Sequence, residues 1–301
     1  MKILWLTMDF HRYKRGAFRH YYLSLEESLE KIAEVVFYGR KEKESDVEKI
    51  VKEIRPDMVM VYCDREKWRN LDKVRIPKAV RCSDPWRNIL RQVKWIKKNK
   101  IDLVFLLHGA ATPEYQKRVK AKCVGLFQSL SSKLFKNLNL ERIYDVFLTG
   151  NLSSNPYPLR HAIYNAYRHN PNCWVRRGFR SLPTLEKYIR KLNQSNILAS
   201  GNCRLPLLGR KDLRFFQVKP LEAMATGALA MMDVPTCAKE LHLVPDYNFV
   251  AIDQRNFKEK IKYYLQNEED RTPIIKRVYE TFIKYHSSDV RARQVKRELN
   301  L

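Results

Sequence analysis

The sequence predicts an α/β protein whose parallel sheets are wrapped by helices. Three observations carry that reading. Short apolar runs rich in β-branched residues alternate with charged stretches of helical period. A second round of the same alternation begins at Tyr144. The chain has 301 residues and a 45% hydrophobic content, enough to fill a core in each of two domains of ordinary size, which excludes a disordered chain.

The run from Lys2 to Met8 reads as the first strand, because Asp9, His11 and Arg12 follow it at once and no signal-peptide pattern develops. Val35 to Tyr38, Met58 to Tyr62, Ala79 to Cys82, Leu103 to Leu107 and Val124 to Leu126 are the next strands. Tyr22 to Glu34, with Leu25, Leu29 and Ile32 at spacings of three and four, and Ser45 to Ile54 are crossover helices. Asp84-Pro85-Trp86 opens another helix, with an aspartate at the N-cap and proline in the first turn. Ile89, Val93 and Ile96 line one of its faces, and Arg87, Arg91, Lys94, Lys97 and Lys98 the other.

From Tyr144 an apolar strand ends in Gly150 and a polar loop beginning at Asn151. The domain boundary is expected near residue 140. Arg160 to Arg168, Pro220 to Thr226 and Phe257 to Leu265 read as helices; Asn196 to Ala199, Ala228 to Met232 and Phe249 to Ile252 read as strands. No apolar run approaches the roughly 18 residues that span a bilayer.

Lys and Arg total 58 against 33 acids, a formal charge of +25, so close partners should be anionic. Between Asn151 and Pro220 thirteen Lys or Arg face only Glu186 and Asp212. That stretch is either a solvated basic surface or a site for phosphate groups. Six cysteines lie far apart, without a Cys-x-x-Cys pair or a His pair at metal spacing, which points to a reduced cytoplasmic protein with no structural zinc. The glycine-rich dinucleotide and P-loop fingerprints, an Asp-x-Asp metal clamp and a Gly-x-Ser-x-Gly elbow are all missing from the sequence. Dinucleotide oxidoreductases, P-loop NTPases and serine hydrolases lose their support.

The most informative stretch runs from Lys219 through Pro220-Leu221-Glu222-Ala223-Met224-Ala225-Thr226-Gly227 to Asp233. It reads as a short helix carrying one acid, closed by a glycine and followed directly by a buried strand. A carboxylate there can accept two hydrogen bonds from a ribose diol, and a nearby lysine can face a diphosphate; an ordinary surface glutamate gives the same pattern.

The segment resembles the second half of GT-B nucleotide-sugar glycosyltransferases of group 1, especially the CgeB-type, spore-coat-glycosyltransferase-like branch. Val244-Pro245-Asp246-Tyr247-Asn248-Phe249-Val250 and Lys262 to Asn267 resemble later parts of that domain, and Tyr144 to Gly150 and Tyr157-Pro158-Leu159-Arg160 its opening strand and helix. The resemblance runs from residue 144 to 293. It implies a GT-B architecture, two Rossmann-like domains with parallel sheets facing each other across a cleft: residues 1–139 on the acceptor side, 140–285 on the donor side, and 286–301 a helix returning toward the first domain.

The same resemblance implies a metal-independent glycosyltransferase that needs no cofactor beyond its nucleotide diphosphate sugar. Glu222 would hold the ribose beside the Thr226-Gly227 turn. Lys219, Lys211 and Arg160 would meet the diphosphate, near Gly150 and Asn151. Two departures stand out: Arg214 replaces a glutamate common in group 1 enzymes, and Phe216 a glycine near the donor. Sugar contacts made through that loop therefore do not carry over.

Loops after parallel strands gather where open α/β sheets put ligands, which makes Asp9, His11, Asp84 and His108 candidates for the general base. Asp84 also suits a helix N-cap, and His108, before Gly109, a strand cap. Tyr157, Tyr164, Tyr167 and Trp174, interleaved with arginines, are candidates for stacking on nucleobases. The acceptor is a hydroxyl on an unspecified molecule, with an anionic lipid-linked, glycan or nucleic-acid carrier consistent with the charge. A nucleic-acid-binding protein is the competing reading, and peripheral contact with the inner membrane face a further expectation.

Overall fold

In a computed structural model, residues 1–7, 17–39, 44–62, 68–177 and 184–299 are described. The chain divides into two compact units: Met1–Lys14, Glu26–Phe127 and Arg291–Leu301 form the first, Arg15–Leu25 and Gln128–Val290 the second. No helix among the described residues is long and apolar enough to cross a membrane.

The first unit holds a parallel six-stranded sheet of β1 (Lys2–Leu6), β2 (Glu34–Tyr38), β3 (Met58–Tyr62), β4 (Lys78–Cys82), β5 (Leu103–Leu106) and β6 (Lys122–Gly125), in the order β2-β1-β3-β4-β5-β6. The inner strands β1, β3 and β5 are short and rich in apolar residues, as strands covered on both faces must be. The connecting helices include α1 (Ala17–Leu29), α2 (Val47–Ile54), α3 (Pro85–Lys98) and the single turn α4 (Thr112–Gln116). Helix α1 ends at Leu29, earlier than its apolar period suggests. The reason is β2: Glu34 is in register with Lys2 and pairs with its ammonium at 3.0 Å, so the chain turns before it.

The second unit holds a parallel five-stranded sheet of β7 (Tyr144–Gly150), β8 (Cys173–Arg177), β9 (Ser195–Ala199), β10 (Leu229–Met232) and β11 (Val250–Ala251), in the order β11-β10-β9-β7-β8. Its helices are α5 (Pro158–Tyr167), α6 (Leu185–Asn193), α7 (Val218–Thr226), α8 (Phe257–Gln266) and α9 (Glu268–Thr281); α10 (Ser288–Glu298) follows. Val146, Leu148, Ile197, Leu229, Met231 and Ile261 lie in one buried cluster. In each sheet the strand order reverses beside the first strand, at β1/β3 and at β7/β9. Such switch points are where open α/β sheets leave a crevice outside the carboxyl ends of their strands.

Four elements lie outside the sequence expectation: α4, β8, α6 and α9. Strand β8 is a short edge run that ends in two arginines. Its Trp174 stacks on Phe147 of β7, centroids 4.9 Å apart, so this ring is spent on strand packing instead of a nucleobase. Helix α6 begins at Thr184, whose hydroxyl accepts from Lys187 N at 3.2 Å, and buries Tyr188, Ile189 and Leu192.

The start of α3 also departs from expectation. Asp84 occupies the N-cap position in left-handed backbone, φ 47°, and its side chain makes no capping bond. Asn88, itself non-helical, accepts from Arg91 N at 3.0 Å and caps the regular part of the helix.

Glu26 of α1 is buried beside Arg81 of β4, which is also buried. Burial raises its carboxyl from the ordinary 4.5 to about 7, against the pull of Arg81 and a hydrogen bond from Thr7. The folded chain thus keeps a proton that the unfolded chain gives up near 4.5. Stability contributed by that protonated group is lost as pH rises through this window. Glu26→Gln should remove the slope, so that stability no longer falls through this window, read from urea melts at pH 5 and 8. A parallel loss of stability in both chains between those pH values would count against this account.

Candidate functional site

Helix α7 is buried from Val218 through Thr226, on every side. A helix so placed should be apolar all round, yet it carries Lys219 and Glu222, three residues apart on one face. Two charges without water need partners. The ammonium of Lys219 lies 3.1 and 3.2 Å from the two oxygens of Glu222. Tyr21 of α1 donates to Glu222 Oε1 and Tyr188 of α6 to Oε2. Lys219 Nζ in turn reaches Tyr188 Oη, and Tyr21 Oη at 3.1 Å.

The electrostatics follow from burial. Desolvation brings Lys219 down to about 8, with Glu222 pulling the other way. Both phenols are held well above their usual 10, first by desolvation and then by the charge of Glu222. Glu222 is 0% exposed. Its carboxylate is fully engaged by Tyr21, Tyr188 and Lys219, so a ribose diol reaching it would take over a hydroxyl position now filled by tyrosine.

Beside this cluster lies the switch point of the second sheet. Strand β7 ends at Gly150 with φ 111°, a conformation open to glycine. A Cβ there would stand 3.7 Å from both Arg160 Nη1 and Lys219 Cε, so both cationic side chains converge on this backbone. Arg160, in the first turn of α5, is 3% exposed, and its Nε and Nη2 have no hydrogen-bond partner among the described residues. Its guanidinium lies over the ring of Tyr157 at 4.2 Å. Burial depresses its pKa, against the attraction of Tyr157, Cys203, Asp233 and Glu222.

After β9, Gly201 packs against the Arg160 backbone, and the flanking Ser200 Oγ and Asn202 Oδ1 are buried and unpartnered. Asn202 is fixed by bonds to Asp233, which also takes a two-nitrogen fork from Arg204. The unused N–H groups of the buried guanidinium suit an anion with several acceptor oxygens, whereas Asn202 Oδ1 is itself an acceptor.

The remaining donor-side candidates sit elsewhere. Thr226 and Gly227 close α7: Thr226 Oγ1 bonds Glu222 O at 2.7 Å, and Arg142 caps the carbonyls of Thr226 and Gly227 at 3.1 and 2.9 Å. Gly227, at φ 73°, has Asn137 and Arg142 where a Cβ would point. Asn151 is exposed and folds its side chain onto Ser153. Lys211 is exposed just after the turn between Leu207 and Arg210, and among the described residues no contact joins it to Glu222 or Arg160. Arg214 and Phe216 serve structure: Arg214 N bonds Thr236, and Phe216 is buried near His286.

In the first unit, Asp84 and His108 follow the neighbouring strands β4 and β5. His108 Nε2 stands 3.9 Å from Asp84 Oδ1, with the imidazole buried and the carboxylate partly open. The structure thus brings two of the base candidates together. Left-handed backbone at a non-glycine residue is uncommon and recurs at functional sites, where it re-aims a side chain. Asp9 and His11 lie outside the described residues. Tyr21, Tyr188, Ser200 and Asn202 have no counterpart in the sequence reading. Tyr188 had a local signal, the apolar period of α6; Tyr21 had none.

Residues 87–297 match a family model described as glycosyl transferase-like. The chain belongs to that glycosyltransferase family. No curated protein sequence matches it. Among solved structures, sucrose-phosphate synthase from Thermosynechococcus elongatus is 10% identical, with 100% of this chain and 98% of the other covered at a TM-score of 0.69. A glycosyltransferase from Rickettsia africae ESF-5 is 11% identical over 99% and 97% of the two chains, TM-score 0.65. Anabaena HepE in complex with UDP-glucose is 11% identical over 100% and 99%, TM-score 0.65. At these identities the likeness speaks for the fold: the glycosyltransferase has the two-sheet GT-B architecture.

The cluster on α7 sets a stability test for this glycosyltransferase. Glu222→Gln leaves a buried ammonium without its counter-charge and should cost about 3 kcal/mol or more in urea melts. Tyr188→Phe, which strips one donor from the carboxylate, should cost ~1–3 kcal/mol. Replacing Lys219 and Glu222 together by methionine should recover most of the first loss, since no unpaired charge remains. Recovery failing to appear would show that the pair is not the source of the cost.

Proposed function

We propose that this glycosyltransferase moves a sugar from a nucleoside diphosphate sugar to a hydroxyl acceptor, with the donor diphosphate held by Arg160 at the β7/β9 switch point. The observation that carries the reading is the buried guanidinium with two unpartnered nitrogens beside Gly150. A charge kept from water without full hydrogen bonding is costly, and diphosphate oxygens would remove that cost. The HepE complex with UDP-glucose supports a nucleotide-sugar donor on this fold.

Lys219 adds the second positive charge. In the reaction the acceptor oxygen bonds to the anomeric carbon as the bond from that carbon to the diphosphate oxygen breaks. The electron pair leaves with the diphosphate, where fixed cations offset it as it forms. Glu222 takes the ribose diol, with a ribose hydroxyl replacing that of Tyr21 so that the carboxylate keeps its full set of hydrogen bonds. Asp84, with His108 beside it, receives the proton from the acceptor hydroxyl. No disulfide joins the described cysteines to one another, in keeping with a reducing, cytoplasmic setting.

Arg160→Met separates this reading from a merely structural arginine. Removing an unpaired buried charge should leave the melting temperature of the free protein unchanged or higher. The upshift produced by nucleoside diphosphates, from a panel of UDP, GDP, ADP and TDP, should shrink, with affinity falling by about 10- to 100-fold. A destabilised variant that binds the same nucleotide as well as before would refute the assignment.

Asp84→Asn tests the base. Asparagine tolerates left-handed backbone as aspartate does, so the fold should survive. Release of nucleoside diphosphate from the sugar donor in the presence of acceptor should fall about 100-fold or more, while the nucleotide-induced melting shift persists. Turnover within a few-fold of the parent would remove Asp84 from the reaction.

A further inference from the structure

We infer that the outer face of α3 is a docking surface for an anionic phospholipid bilayer, on which the protein rests peripherally. Successive residues of a helix turn by about 100°, which gathers Leu90, Arg91, Lys94, Lys97 and Lys98 into one face about 120° wide. All five are exposed, and Leu90 is 60% exposed. The opposite face, Ile89, Gln92, Val93, Ile96 and Asn99, is buried in the first unit. No acid occurs between Pro85 and Ile101. Among the described residues Arg91, Lys94, Lys97 and Lys98 form no ion pair, so their charge is available to a partner.

The positive surface continues past the end of the helix. A groove of about 690 Å³ there is lined by Lys97, Lys100, Lys117, Arg118 and Lys120, with Asp102. Two carboxylates act locally against this charge. Glu114 is taken by Arg118 at 2.8 Å and approached by Lys117 at 3.8 Å, and Asp102 accepts from Lys78 N. Lys97, Lys98, Lys100 and Lys120 form no ion pair among the described residues and outnumber the single charge that Asp102 keeps in the groove.

Charge complementarity requires an anionic partner, and the apolar groups decide which kind. Leu90 stands at the N-terminal end of the cationic face, and Trp95, half-buried, borders it. Phosphate and sugar of a nucleic acid offer nothing to an aliphatic side chain among lysines. A bilayer interface accepts both: cations meet the headgroups while leucine and tryptophan enter the acyl boundary.

The test uses the full chain and sedimentation with vesicles of phosphatidylcholine alone or mixed in equal parts with phosphatidylglycerol, plus duplex DNA at matched phosphate concentration. The protein should sediment with the anionic vesicles and not with the neutral ones. Each cation lost should weaken that binding about fivefold, so Arg91→Gln, Lys94→Gln and Lys97→Gln combined should weaken it about 100-fold. Leu90→Ser should weaken vesicle binding several-fold while leaving any DNA binding unchanged. All four changes are at exposed positions, so the melting temperatures should stay with the parent. Failure to bind anionic vesicles, or binding untouched by either variant, overturns the inference. Tighter binding to DNA that the triple variant abolishes, with Leu90→Ser silent on both partners, assigns the surface to nucleic acid instead.

Discussion

The second unit depends on a charge pair placed where no water reaches it. Because α7 is covered on every side, Lys219 and Glu222 can be neither solvated nor left apart. Their presence dictates what stands around them: a tyrosine from α1 and another from α6, each giving its hydroxyl to one carboxylate oxygen. A hydrophobic pair of similar size would hold the helix at least as well. What the charged pair adds is a fixed carboxylate whose bonding partners are hydroxyls, the group a ribose also offers.

Arg160 is the complementary case. Lys219 and Glu222 satisfy each other, whereas Arg160 is buried with nitrogens to spare. Gly150 and Gly201 let it lie close to backbone on both sides, and Asn202 is held by Asp233. Preorganisation of this kind puts the cost of desolvating a cation into folding. The strand reversal at β7/β9 places these residues where open α/β sheets send helices to opposite faces.

The two units treat charge differently. In the second, Arg160 and Lys219 are turned inward near the switch point, among many exposed cations. In the first, α3 and the groove after it keep theirs in solvent, and the buried charged side chains include Glu26, Lys78, Arg81 and His108. A net charge of +25 therefore says little about a single site. It is the sum of a few buried cations and many exposed ones.

Local periodicity carries the class of the fold, most of its strands, the closing glycine of α7 and the charged residues on that helix, because alternation and helical spacing are properties of neighbouring residues. It shows neither β8, an edge run whose last two residues are arginines, nor where α1 ends, which the pairing of Glu34 with Lys2 decides. Nothing in the neighbourhood of Glu222 announces Tyr21, which is 201 positions away, or distinguishes a buried glutamate from an exposed one. The same holds for the unpartnered guanidinium of Arg160 and the approach of His108 to Asp84. Those contacts exist because strand order and helix crossings bring remote segments together, and burial, which turns an ordinary charged residue into a site, is a property of that assembly.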